Sequence, residues 1–511
     1  MAIIRISVLL VLFGVGRVQA QTGEVSSVGN LFATDRLVSL YTESLTFITP
    51  RILNAVPVSQ LTLWGLQGLT ALDPEITTVQ KDGHLQMSRQ DKMLLDLMAP
   101  NDEAPATWAR IAVLMTSAGY AASPAVHRAG AQGIVQGFFD ELFSHIDPYS
   151  RYVPPTEAGE DRTRRAGRAG LGLTIGQRGR LMTVRAVVRD SPGAIAGIQP
   201  GAILLAVDGQ RTKSRDARTI GALMAGPEGS AVTLCWRGRD GRTRDARLIR
   251  ITVPSETVFA ERHADMLVLR ITSFSMSTAS HIALSVRDML AEPHPVAGIV
   301  LDLRDNRGGL LRQAVTAADS FLPAGVIATT TGRDADASHI WRSAEGELAE
   351  NVPLVVLVNG RTASSAEVLA AALSDRGRAV VVGSATLGKG LVQTIDPLPD
   401  GGELLVTWSR VTAPLGWPLQ ALGVLPQVCT SLGWEALNRQ LAALSAGLQP
   451  MAPAIKAERA ARAPVAPLEA LTLRAPCPAA EGRPADLVAA QALIADPVAY
   501  AAALLPPMLD R

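Results

Sequence analysis

Lysine is nearly absent from this chain of 511 residues: of its 48 basic residues 43 are arginine and five are lysine, at positions 81, 92, 213, 389 and 456. Arginine keeps its proton in a protein, whereas a desolvated lysine amine can lose it. A lysine held in a Gly388-Lys389-Gly390 turn therefore marks a place where a neutral amine would be of use, although five lysines must fall somewhere and most sit in solvent. Aromatic residues make up only 4%, while Ala, Gly, Val and Leu abound, a composition of an α/β or mixed enzyme rather than a fibre. The net charge of +1 removes the electrostatic case for nucleic acid or acidic membrane partners. Gly-x-Ser-x-Gly does not occur, and none of the seven histidines (84, 127, 145, 263, 281, 294 and 339) sits in a recognisable triad signature. Cys and His show no metal-ligand spacing, so neither a metal nor an organic cofactor is expected.

Long apolar runs are missing too, apart from Ser7 to Gly16 behind Arg5 and before Val18-Gln19-Ala20. That run is shorter than the roughly 20 residues a membrane span needs. Residues 1–20 read as a secretory leader cleaved before Gln21, so the mature protein is expected in the periplasm or otherwise exported, with an uncleaved membrane tether as the lesser option. Three cysteines then fit one disulfide and one free thiol. Cys235 lies in an alternating run, Val232 to Trp236, that reads as a buried strand. The expected pair is Cys429 with Cys477, although the sequence alone leaves the other two pairings open.

The chain divides into a helical region at 21–165, a β-rich segment at 166–254, an α/β core at 255–430 and an Ala/Pro-rich region at 431–511. From Thr34 to about Val153 the apolar spacing is mainly helical. Leu72-Asp73-Pro74 and Ile146-Asp147-Pro148 each stop a helix, because the residue before proline is pushed out of the α region. Arg162 to Arg168 reads as a link. Beyond it, Gly170-Leu171-Gly172-Leu173, Ser191-Pro192, Asp208-Gly209 and Gly226-Pro227-Glu228-Gly229 punctuate short strands in an order that resembles a PDZ domain. That resemblance implies that the backbone amides of Gly170 to Leu173 receive a peptide's terminal carboxylate while a sheet edge takes the peptide as a strand. A dinucleotide loop at the same glycines fails, because Ile175 stands where the third glycine belongs and no helix follows. From Glu256 onward strands (Leu267 to Ile271, Ala297 to Leu303, Pro353 to Val358, Arg378 to Val382) alternate with helices (Ala279 to Leu290, Ser365 to Ser374), which argues for an α/β core. Only the stretch from about 450 to 485 has the composition of a disordered segment.

Ser364 falls between a buried strand and the start of a helix, where backbone amides and the helix dipole can stabilise an oxyanion. N-capping is the plainer role for any of Thr362, Ser364 and Ser365, and position alone leaves the choice among them open. Gly383-x-x-x-x-Gly388-Lys389 after a strand is most of a phosphate-binding loop, but position 390 is Gly and a strand follows, so a nucleotide-binding reading is the minor alternative.

The block Asn359-Gly-Arg-Thr-Ala-Ser364-Ser-Ala-Glu367, Val382-Gly383-x-x-Thr386-x-Gly388-Lys389-Gly390-x-x-Gln393, with Val300-Leu-Asp302-Leu-Arg304-Asp-Asn306-Arg-Gly308-Gly309 upstream, resembles the carboxy-terminal processing, or tail-specific, proteases. The resemblance covers about residues 130–430. It implies Ser364 as nucleophile, Lys389 as general base and Gln393 as the residue holding the amine, with Ser365 and Gly308 or Gly309 as oxyanion donors. Thr362 and Ala366 depart from the family's usual serines, and neither is the nucleophile. The activity so implied is an exported serine endopeptidase with a Ser-Lys dyad, cutting envelope proteins near exposed C-terminal tails. An adaptor protein and a homo-oligomer are compatible with it. A non-catalytic PDZ scaffold would need the dyad to be vestigial.

Overall fold

The computed structural model describes residues 34–505 except 295 and 345, so the expected leader lies outside the described residues. Core strands Met266–Ile271, Gly298–Asp302, Leu354–Val358, Val380–Gly383 and Val428–Cys429 run parallel, side by side in that order. Val258–His263 is added antiparallel at one edge. Leu354–Val358 is buried at every residue, because a parallel sheet covered on both faces has no polar side. Ile299, Leu301 and Val356 pack with Ile282, Ala318 and Leu369 on one face. Val300, Val355 and Leu357 pack with Leu437, Ala489 and Leu493 on the other.

That second layer comes from the C-terminal region. The stretch whose composition fits disorder forms the helices Ala452–Ala460 and Pro467–Arg474, and Trp434–Ser445 and Pro484–Ala495 flank them. Alanine is the strongest helix former. Pro467 and Pro484 stand at the first helical position, where the missing N–H costs nothing.

A second, antiparallel sheet is ordered His339–Ser343, Gly325–Gly332, Glu403–Thr412, Leu391–Pro397, and Arg151–Val153 also pairs with the Glu403 strand. This pairing ties the N-terminal region to the strands next to the lysine turn. The N-terminal helices Val58–Leu72 and Pro124–Ser144 cross closely at glycine, since a Cβ on Gly68 would lie 2.3 Å from the Gly137 carbonyl oxygen. Contrary to the mainly helical expectation, Ile76–Lys81, His84–Arg89 and Lys92–Met98 form a β-meander. Its first turn is Asp82-Gly83, both at positive φ (51° and 79°), the conformation two-residue hairpins favour. Leu85 and Met87 alternate inward on its middle strand.

The β-rich unit has strand order Thr243–Ile249, Ala231–Arg237, Ile203–Val207, Leu181–Val187, Leu173–Arg178, around its own core of Leu204, Ile220, Leu234 and Trp236. Arg168–Gly170 pairs with Ile251–Val253 where the chain enters and leaves. The arginine-rich link is thus the end of the helix Pro155–Ala166 and the start of this stalk. Leu173–Arg178 is a free sheet edge. Cys235 is a free, half-buried thiol rather than a buried one, because Val232, Leu234 and Trp236 take the inward face of its strand.

Cys429 and Cys477 are joined in a disulfide that is fully buried. Its ends are 48 residues apart, so Cys477→Ala is expected to lower stability by about 2–4 kcal/mol. The fall would be read as a lower urea midpoint.

Candidate active site

The three hydroxyls at the start of the Ser365–Asp375 helix have separate fates. Thr362 Oγ1 donates to the Leu303 carbonyl at 2.9 Å and accepts from Asn359 N at 3.0 Å, pinning the turn to the neighbouring strand. Ser365 Oγ donates to the Gly309 carbonyl at 2.8 Å. Ser364 stands at the N-cap with φ 59° and ψ −122°, a backbone state costing about 1–3 kcal/mol for a residue with a side chain. It is half-buried and lines a cavity of about 830 Å³.

Across from it runs the Gly308-Gly309 loop. At Gly308 a Cβ would lie 2.9 Å from Ser364 Cβ and 3.0 Å from Ser365 N, so only glycine admits this approach. The Gly308 N–H is taken, donating to Asn306 Oδ1 at 2.8 Å, and Asn306 is itself held by Nδ2 on the Ile271 carbonyl at 2.8 Å. The Gly309 N–H has no hydrogen-bond partner among the described residues. Of the two glycines, Gly309 is the one with a donor to spare.

Glu367 joins the two halves of the site. Its fully buried carboxylate accepts from Ser364 N at 2.7 Å, Thr386 Oγ1 at 2.5 Å, Gly388 N at 2.6 Å and Lys389 N at 2.9 Å. Burial is foremost in raising its pKa, and these hydrogen bonds offset part of that. Three of the four donors are backbone N–H groups with no lone pair to offer, so these bonds favour the ionised form of the carboxylate against its burial.

Lys389 is half-buried and opens on the same cavity. Its Nζ lies 4.9 Å from the centre of the Tyr149 ring and has no hydrogen bond or ion pair among the described residues. Burial lowers the pKa of the amine, helped by the positive charge of Arg151 and opposed by Asp147 and Glu367. Gln393, Gly308, Gly309 and Ser365 line this cavity as well. The Gln393 amide donates to Thr407 Oγ1 at 3.2 Å, and Thr407 donates to Asp147 Oδ1 at 2.9 Å. Gln393 is thus bonded towards Asp147 rather than to the amine.

The Gly170 to Leu173 loop lies outside the cavity. Gly172 is at φ 69°, and the Leu171 and Gly172 carbonyls accept from Gly193 N and Val188 N at 2.9 and 2.8 Å. After Lys389 comes a glycine and then the strand Leu391–Pro397, so no helix begins at the end of the Gly383 to Lys389 turn. Among the described residues, no group of three or more His, Cys, Asp or Glu could hold a metal ion.

Sequence reasoning quoted Glu367 without a role, took Asp147-Pro148 first for a helix stop and gave its carboxylate no role, and passed over Tyr149. The Asp147 carboxylate does close the turn after the Pro124–Ser144 helix, accepting from Tyr149 N and Ser150 N at 2.8 and 2.9 Å. It also brings Tyr149 under the amine. A buried-helix position holding Glu was the one signal available, since an acid there needs donors.

The profile of Peptidase family S41 matches residues 265–430, and that of the PDZ domain matches 183–237. Fold and site thus define a serine-type peptidase that carries a PDZ domain. The carboxy-terminal-processing protease of Bartonella bacilliformis is 31% identical over 302 residues, 58% of this chain and 69% of that protein. Carboxy-terminal processing protease CtpA of Bacillus subtilis is 32% identical over 303 residues, 59% and 64% of the two chains. Chloroplastic carboxyl-terminal-processing peptidase 3 of Arabidopsis thaliana is 27% identical over 422 residues, 78% and 74% of the two. The chain belongs to the carboxy-terminal-processing protease family.

Glu367→Gln puts an amide NH2 among hydrogen-bond donors. It is expected to cost about 2–3 kcal/mol of stability and to depress peptidase activity, measured by urea unfolding and peptide cleavage on one preparation.

Proposed function

We propose that this protein is an exported endopeptidase that cuts other proteins near their C-terminal tails with Ser364 and Lys389. The observation that carries the reading is the meeting of a strained serine and an unpaired, half-buried amine in one cavity, bridged by Glu367. The neutral Lys389 amine takes the Ser364 hydroxyl proton as Oγ attacks the scissile carbonyl, then returns it to the leaving amine. The N–H groups of Ser365 and Gly309 receive the oxyanion, and Asn306 keeps Gly308 in shape beside them. Gln393 orders the lysine's surroundings through Thr407 and Asp147. A water then hydrolyses the acyl-enzyme with the same amine as base.

The PDZ domain takes the tail. Its Leu173–Arg178 edge lies next to the helix Ala217–Met224, which suits a peptide added as a strand with its carboxylate at Gly170 to Leu173. Export is supported by the Cys429–Cys477 disulfide, a bond kept in oxidising compartments. Envelope proteins with exposed tails are the substrates this setting favours.

Ser364→Ala and Lys389→Ala should each lower kcat/KM on an unstructured, tail-exposed protein by at least about 10²-fold. Lys389→Arg should fail as fully, since a guanidinium keeps its proton; cleavage by it at the wild-type rate would sink the mechanism.

The pH dependence has a definite sign. Activity rises with pH as the amine deprotonates, at a pH below the ordinary lysine range. Arg151 disfavours the ammonium form, so Arg151→Gln lets the amine hold its proton longer. The acidic limb of the kcat/KM profile is expected to move to higher pH, and a move the other way would contradict the assignment of Lys389 as base.

A further inference from the structure

Arg474 ends the helix Pro467–Arg474, beyond the stretch that the peptidase profile covers. Its guanidinium is half-buried and reaches back to the lysine turn, with Nη2 donating to the Thr386 carbonyl at 2.6 Å. Nη1 donates to the Leu422 carbonyl and, at 3.4 Å, to that of Ala421. One planar fork thus spans two loops, a task to which arginine is suited and lysine is not. Space there is tight: at Gly423 a Cβ would lie 2.7 Å from Thr386 Oγ1 and 2.9 Å from Arg474 Nη1, on a backbone at φ 72°.

Thr386 is the next link. Its hydroxyl donates to Glu367 Oε1 at 2.5 Å and accepts from Val424 N at 2.8 Å. Glu367 then holds the backbone N–H groups of Ser364 and Lys389. Two buried carboxylates, Glu367 and Glu458, act on Arg474. Burial raises the pKa of both, Glu458 to about 8; Glu367 is the one tied to Arg474 through Thr386. Three residues on, Cys477 is bonded to Cys429, whose strand pairs with the one ending at Gly383, where the lysine turn begins. The disulfide thus lies beside the start of the turn and the guanidinium holds its middle.

We propose that Arg474 is a positioning residue for Lys389, acting through Thr386 and Glu367, so that the C-terminal helices form part of the catalytic machinery. The proposal rests on the Ser364–Lys389 reading above. Other bonds also hold the turn, among them Leu387 N to the Thr362 carbonyl at 2.9 Å, so the expected loss is partial.

The test compares full-length wild type, Arg474→Met, Arg474→Lys, Thr386→Val and the Arg474→Met/Thr386→Val double variant on one peptide, beside Ser364→Ala and Lys389→Ala. Arg474→Met should lose about tenfold to a hundredfold in kcat, as a displaced catalytic group does, with KM within about twofold of wild type. Arg474→Lys, which keeps the charge with fewer donors, should fall between the two and keep the wild-type unfolding midpoint within a few degrees. The double variant should lose little more than the worse single variant, because the two residues act in series. If Lys389→Ala stays active, the dyad reading itself fails. If Lys389→Ala is inactive while Arg474→Met and Arg474→Lys keep wild-type kcat, or the Arg474 and Thr386 losses simply multiply, the positioning role alone is overturned.

Discussion

One buried carboxylate sets the geometry of the site. Glu367 sits on a helix buried at every residue from Ser365 to Asp375, so its position is that of the core and not of a loop. From there it holds the N–H of Ser364 and, 22 residues further along the chain, the N–H of Lys389. A buried carboxylate left without donors would be costly. The Gly388-Lys389 turn relieves that cost by presenting its amides, and in doing so brings the lysine to the serine.

The rarity of lysine makes sense beside the work that the arginines do. Arg165 grips both oxygens of Glu403, Arg304 bridges Asp302 and Asp486, and Arg378 binds Glu347 and two carbonyls. Each is a forked contact that needs a permanent charge and several donors. At position 389 the proposed base has the reverse requirement. A group that sheds its proton suits a half-buried site beside Arg151, and the unmatched Nζ above Tyr149 is the form that need takes.

The C-terminal region is no appendage to this core. Its helices supply the second face of the parallel sheet, and the buried Arg459–Asp375 ion pair at 2.8 Å joins one of them to the end of the serine's helix. Removing that layer would expose Val300, Val355 and Leu357 to water. The peptidase profile ends at residue 430, yet the apolar surface needed to fold the matched part extends beyond it.

By itself the sequence determined the local elements and the spacing of the chemistry. Buried apolar runs marked the parallel strands, glycines marked the turns, and the motif order led to Ser364, Lys389 and Gln393, which line one cavity. It did not reveal the meander at 76–98, where a two-residue Asp-Gly turn was outweighed by the helical spacing around it, nor the order in the Ala/Pro-rich tail, whose helices depend on packing against a distant sheet. Only the tertiary structure decided that Gly309 rather than Gly308 has a free N–H, that Gln393 is bonded to Thr407, and that Thr407 meets Asp147 across 260 residues. Local pattern specifies backbone conformation, because those preferences act within a few residues. Which donor faces which acceptor follows from how separate elements pack, and that is settled when the chain buries its core.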